Sequence, residues 1–294
     1  MTTHRAPHAL ALFSGGLDSI LAVKLIAEQG VRVTCLHCIS PFFGKPERVP
    51  HWEKVHGLHI EIVDVSTQYA AMLRAGPAHG FGRFLNPCVD CKILMAREAK
   101  ALLPRMEADF IVSGEVRGQR PMSQRLDTLH AISRDADVRD VLLRPLTALR
   151  LPATVVEERG LVDRERLLDI AGRGRKRQME LARHFGLTEI PTPAGGCQLA
   201  EVESARRYLP VLARLPESRA ADFHLSNVGR QYWSGRRWLV IGRDRADNQR
   251  LAGLVEAGDL LFKVRGFPGP LCLGRQRPED PWSAGEIAAA AAFC

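Results

Sequence analysis

No apolar run in the sequence approaches the roughly eighteen residues that a membrane-spanning helix requires. The longest early stretch, at residues 9–13, is too short for the core of an export signal. The expectation is a cytoplasmic chain without membrane association. Paired structural cysteines are missing as well: seven is an odd number, and they are spread unevenly through the chain. That argues against a disulfide framework and for thiols that bind metal or react. Also absent near the N-terminus are the Lys-Ser/Thr pair of the Walker loop and the G-x-G-x-x-G of dinucleotide folds. What is present is a chain of 294 residues, 46% apolar, with a formal charge of +8 and a sequence pI near 9.4. This length supports a sizeable core and two domains, and the charge suits a polyanionic partner without establishing one.

The chain is organised around Ala9-Leu-Ala-Leu-Phe13-Ser14-Gly15-Gly16-Leu17-Asp18-Ser19. An apolar run meets a Gly-Gly turn, and Ile20 to Ile26 continues with helical spacing, so the order is strand, tight loop, helix. Glycines let the backbone approach a ligand, and the unpaired N–H groups of a new helix favour an anion, most often phosphate. Val31–Ile39 and Ile60–Val65 read as further strands. Alternation with helices implies a parallel sheet with ligands at the strand C-termini, where Ser14-Gly-Gly falls.

Cys35 and Cys38 have C-x-x-C spacing, but on a strand they face opposite sides and are read as core. Cys88 and Cys91 differ. They follow Pro87 at the start of a helix, three residues apart on one face, where the positive helix end is expected to favour thiolate. Asp109–Ser113 reads as a strand that empties into the polar loop Gly114-Glu-Val-Arg-Gly-Gln119-Arg-Pro-Met-Ser-Gln124, and Val141–Leu146 as the last strand of the sheet. Thr154–Gly174 has helical spacing. The cationic run at 173–177 is either a solvated helix end or a phosphate contact. Pro191-Thr-Pro-Ala-Gly-Gly196-Cys197 reads as a turn that presents one cysteine.

Residues 201–221 look helical, broken by prolines, and serve as a linker. From 222 to 277 there are ten Lys/Arg against five Asp/Glu, with Trp233, Trp238 and Phe262 interleaved. That pattern suits single-stranded or looped RNA, although aromatics on strands are equally core. Residues 236–243 and 258–265 read as strands with a helix at 248–255 between them, and 278–294 as a tail ending in a frayed helix.

Three blocks together resemble the tRNA thiolation branch of the PP-loop ATPases, the 4-thiouridine synthases and 2-thiouridylases. They are Ser14-Gly-Gly-Leu-Asp-Ser19, Gly114 to Gln124, and the cysteines of Asn-Pro-Cys88 and Gly-Gly-Cys197. The resemblance covers roughly residues 8–200, and the segment around Val240–Asn248 and Gly258–Pro270 is similar to the NFACT-R RNA-binding domain. It implies an α/β parallel-sheet PP-loop domain (adenine nucleotide alpha hydrolase-like) over residues 1–200 and a smaller α+β RNA-binding domain over 222–277. It also implies a tRNA sulfurtransferase that adenylates a uridine carbonyl oxygen, releases pyrophosphate, and displaces AMP with sulfur from sulfide or a cysteine desulfurase. ATP phosphates would lie on Ser14, Gly15, Gly16 and Ser19, with Asp18 supporting Mg²⁺ or the helix start and Gly114 and Gln119 lining the far side. Neither a THUMP-type nor a rhodanese domain is recognisable, so tRNA grip and sulfur delivery are expected to differ from the longer synthases.

Two mechanisms compete for Cys88, Cys91 and Cys197. In one, Cys197 carries a persulfide and a partner cysteine resolves a disulfide. In the other, all three hold a [4Fe–4S] cluster with one iron open to hydrosulfide, as in relatives that lack a sulfur-carrying domain. The cluster uses both members of Cys88-x-x-Cys91, because i,i+3 thiolates reach one cluster and a loop cysteine closes the third corner. Zinc wants a fourth ligand that these motifs do not offer. A PP-loop ligase or amidotransferase acting on a small molecule, and a non-catalytic RNA-binding module, are the other functional classes.

Overall fold

A computed structural model describes residues 5–191 and 197–294. In chain order the first half contains β1 (His8–Leu12), α1 (Leu17–Ala27), β2 (Arg32–Ile39), α2 (Val49–His56), β3 (Ile60–Asp64), α3 (Ser66–Ala75), α4 (Cys88–Leu102), β4 (Phe110–Ser113), α5 (Leu126–Asp135) and β5 (Leu142–Leu143). Then follow α6 (Val155–Glu158), α7 (Lys176–His184), α8 (Val202–Arg214), α9 (Ala220–Ser226), β6 (Arg230–Ser234), β7 (Arg237–Ile241), α10 (Arg245–Ala252), β8 (Leu260–Phe262), β9 (Cys272–Arg275) and α11 (Ala284–Phe293). The chain divides into two units, one of residues 1–69 and 77–197, the other of residues 70–76 and 198–294.

In the first unit five parallel strands lie in the order β3-β2-β1-β4-β5. Both faces are covered, which explains the unbroken apolar strand sequences. Ala9, Ala11, Cys35, Phe110 and Val112 turn to one face with Ile20, Val23 and Ile26 of α1. Leu10, Leu36 and Ile111 turn to the other, with Ile93, Ala96 and Ala99 of α4 and Ile132 of α5. The strand order reverses between β1 and β4, so the crevice beyond their C-terminal ends is the natural ligand position. Cys35 and Cys38 are buried, and desolvation pushes both thiols up to about 12, which keeps them protonated core residues.

In the second unit an antiparallel sheet runs β6-β7-β9-β8. Leu239, Cys272 and Trp282 form its core, with Ile287, Ala290 and Cys294 packed against them. The stretch expected to be a linker is largely helix: α8 runs through Pro210 because it buries Ala205, Tyr208 and Val211, and packing outweighs one lost backbone hydrogen bond. The C-terminal segment is not frayed. A Ser283–Glu286 capping box starts α11, whose Ile287 and Ala290 reach the core. The helix expected at 248–255 begins earlier, at Arg245, because the Asp244 carboxylate caps it by accepting from the Asp247 amide at 2.8 Å. Over Thr154–Gly174 only α6 and the single turn Arg164–Arg166 are helical. No helix among the described residues is long and apolar enough to cross a membrane.

Candidate active site

The loop between β1 and α1 lies at the C-terminal end of the central strand. Gly15 has φ +74°, and a Cβ there would fall 2.4 Å from the Trp52 ring, so the turn demands glycine twice over. Gly16 is the N-cap of α1 and no side chain caps that helix, which leaves its positive end for a ligand. Ser19 Oγ donates to the Gly16 carbonyl at 2.7 Å, and Ser14 Oγ lies 3.4 Å from Ser19 Oγ, so the loop braces itself. Across the switch point, Gly114 touches the first turn of α1: a Cβ there would sit 2.6 Å from the Asp18 carbonyl oxygen. Gln119 Nε2 donates to Asp18 Oδ2 at 2.7 Å, while Asp18 Oδ1 is buried without a partner among the described residues. An orphaned carboxylate oxygen beside an uncapped helix start is a fit for Mg²⁺ carrying phosphate.

Two residues that the sequence did not single out complete this wall. Gln124 and Gln178 each bury an Oε1 without a partner, and Gln178 Nε2 reaches Gln119 Oε1 at 3.5 Å. Gln124 sits in the glycine-bearing loop after β4, a signal that was available. Gln178, the third residue of α7, had none. In the cationic run before it, Arg177 pairs with Asp169 at 3.5 Å, whereas Arg173, Arg175 and Lys176 have no ion pair among the described residues.

The cysteines approach one another in the same unit. Cys88 opens α4 and Cys91 follows one turn later, with the Cys91 amide donating to the Pro87 carbonyl at 2.8 Å. Cys88 Sγ lies 3.6 Å from Ser123 Oγ. The fully buried Tyr69 hydroxyl has no well-formed hydrogen bond, and the groups acting on it are Cys91, Cys197 and Cys88. Burial raises the Cys91 thiol, and the neighbouring Cys197 and Cys88 add to that. The thiolate expected from the helix end is therefore corrected for Cys91: desolvation outweighs the helix dipole. No three His, Cys, Asp or Glu among the described residues are close enough to hold a metal ion. The donor set has the right chemistry for an iron–sulfur cluster but is not drawn together as a ligand set. Residues 192–196, which carry most of the turn expected before Cys197, lie outside the described residues.

One ion pair joins these two places. Lys92, next to Cys91, contacts Glu115 Oε1 at 2.5 Å, and Glu115, next to Gly114, also accepts from Arg144 Nε at 2.8 Å. Burial alone would raise the Glu115 carboxyl, but the two cations outweigh it and hold it at about 2.

In the second unit the expected RNA-facing pattern is partly internal. Arg275 pairs with Asp222, Glu256 and Asp259, and Arg237 with Asp280 and Glu286. Trp238 is fully buried and stacks on Trp233 at 4.8 Å, with Arg214 5.5 Å from the Trp233 ring, so Trp238 is core and offers no face to a base.

A 3-2-1-4-5 parallel sheet with Ser-Gly-Gly-x-Asp-Ser at its switch point defines the PP-loop class. Within it the chain belongs to the thiamine biosynthesis protein (ThiI) family, whose model matches residues 5–151. The chain is 29% identical over 170 residues to a probable tRNA sulfurtransferase of Thermococcus kodakarensis, covering 55% of this chain and 39% of the relative. It is 30% identical over 128 residues to one of Methanosarcina acetivorans, covering 42% of this chain and 30% of the relative. It thus spans well under half the length of these curated relatives. Among solved structures it is similar to a 4-thiouridine synthetase in complex with RNA and bound ATP, at 20% identity and TM-score 0.40, covering 70% of this chain and 52% of that one. It is also similar to the U34-tRNA thiolase NcsA of Methanococcus maripaludis with its [4Fe–4S] cluster, at 14% identity and TM-score 0.34, covering 76% and 71%.

Proposed function

We propose that this protein is an ATP-dependent tRNA sulfurtransferase. The observation that carries the reading is the Lys92–Glu115 pair, which ties the cysteine-bearing helix to the rim of the nucleotide loop. ATP phosphates would rest on Ser14, Gly15, Gly16, Ser19 and the open end of α1. Asp18, steered by Gln119, would hold Mg²⁺, and Gly114 would keep the opposite wall close. A uridine carbonyl oxygen attacks the α-phosphate and pyrophosphate leaves. Sulfur then attacks the activated carbon and AMP departs, taking the original oxygen. A carbonyl oxygen is a poor leaving group, and adenylation converts it to a good one.

Cys88, Cys91 and Cys197 would hold a [4Fe–4S] cluster, which supplies an iron open to exogenous sulfide. The fully buried Tyr69 beside them would close one side of the sulfur-transfer site to water, while the three thiols stay partly exposed for sulfide and substrate to reach. A second reading, a persulfide on Cys197 resolved by one other cysteine, is favoured by the lack of a ready ligand set among the described residues. The residues that separate them are clear. Anaerobically purified protein should hold about four irons per chain, and Cys91→Ala should lose both the iron and thiolation, followed by nucleoside mass spectrometry of tRNA. Iron-free protein in which Cys91→Ala still thiolates tRNA sinks the cluster and leaves the two-thiol route. Hydrolysis of ATP to ADP and phosphate sinks the sulfurtransferase reading altogether.

A further inference from the structure

The second unit contains a cavity of about 370 Å³ whose walls carry Arg207, Arg243 and Arg250 together with Gln198, Glu201 and Ser204. Arg207 comes from α8, and Arg243 and Arg250 come from either side of the first turns of α10. The Arg207 guanidinium is fixed by main-chain oxygens: Nε donates to Ser226 at 2.6 Å, and Nη2 to Val228 at 2.9 Å and Gly229 at 3.0 Å. No carboxylate pairs with it among the described residues. Arg243 contacts Asp247 at 2.5 Å, and Arg250 stands 3.9 Å from the same carboxylate. The three cations are therefore opposed by Asp247 behind them and Glu201 on the wall, which leaves a net positive charge.

Such a grouping is costly without an anion. Arg207 is half-buried, and burial first, then repulsion from Arg243, lowers its pKa. A fixed, half-buried guanidinium whose Nη1 is left uncommitted by those main-chain bonds, next to two half-exposed arginines, can offer a phosphate several charge-assisted hydrogen bonds from three directions. The wall has no aromatic or apolar side chain on which a base could stack, so a phosphate group fits better than a whole nucleotide. Arg243 and Arg250 are about half exposed, at 48% and 55%, as a rim contacting a passing strand would be.

We propose that this cavity binds a backbone phosphate of the tRNA, seated on Arg207 and clasped by Arg243 and Arg250. The proposal rests on the tRNA sulfurtransferase reading, and its test separates the two. The affinity of the full-length protein for a tRNA transcript is measured across a salt series for the wild type, Arg250→Gln and Arg250→Lys. Arg250 is chosen because Asp247 keeps Arg243 as its partner. Arg250→Gln should weaken binding about tenfold and make the log–log salt slope shallower by about 0.7 to 0.9, one phosphate contact. Arg250→Lys should restore the slope. In a parallel arm, inorganic phosphate should raise the melting temperature of the wild type more than that of Arg250→Gln or Arg243→Gln. Unchanged tRNA affinity and slope in Arg250→Gln overturn the proposal. If the wild type binds no tRNA yet phosphate still protects it through these arginines, the sulfurtransferase reading fails and the cavity is a site for a small phosphorylated ligand. If neither tRNA nor phosphate discriminates the variants, the cavity is no anion site.

Discussion

Gly114→Ala tests the switch point with a single methyl group. The added Cβ would lie 2.6 Å from the Asp18 carbonyl oxygen, 2.7 Å from its carbonyl carbon and 2.8 Å from the Ser19 nitrogen. All three are backbone atoms of the first turn of α1, so no side chain can swing aside. Ordinary contact begins near 3.4 Å, so the helix start must retreat by about 0.8 Å. Overpacking of this kind costs about 1–3 kcal/mol, and a displacement near 1 Å in a positioning element costs on the order of 100-fold in rate. We expect weaker ATP binding by calorimetry, AMP formation down by about that factor, and a lowered melting temperature. Gly174→Ala is the matched control, because nothing lies within 4 Å of its added Cβ. Should Gly114→Ala bind ATP and melt as the wild type does while forming AMP at the same rate, Gly114 does not shape the nucleotide site.

Asp18→Asn keeps the size of the side chain but removes the charge that its unpartnered Oδ1 offers a cation; AMP formation should fall by at least about 100-fold, with unchanged circular dichroism, and an active variant would remove Asp18 from the site. Glu115, held at about 2 against a usual 4.5, stabilises the fold fully above pH 4.5 and loses that contribution as the pH falls towards 2. Glu115→Gln should accordingly lower the melting temperature at pH 7 and flatten its fall between those values, and a wild-type acid limb in the variant would refute the pairing. Trp238→Ala empties a fully buried site and should cost about 3–5 kcal/mol by denaturant titration; a loss near zero would place Trp238 outside the core.

The sequence by itself was enough for the class of fold and for the strand, Gly-Gly turn and helix around Ser14–Ser19, because both rest on local patterns. Apolar runs buried on both faces of the sheet, punctuated by Gly15-Gly16 and Gly114, are legible from chemistry that acts within a few residues. The i,i+3 placement of Cys88 and Cys91 followed from helix geometry in the same way. Where local and tertiary signals disagreed, packing won: Pro210 sits inside α8, and the alanine-rich C-terminus is an ordered helix because Ser283 caps it and Ile287 reaches the sheet. Only the tertiary structure could bring Tyr69 under three thiols from distant positions, or Lys92 and Arg144 onto Glu115. It also decided that Cys91 is desolvated rather than activated, and that much of the tail's positive charge is paired internally while Arg207, Arg243 and Arg250 gather around one cavity. Net charge and residue spacing can be counted along a chain. Desolvation and counterion pairing depend on which distant groups share a volume, and that is set by the fold.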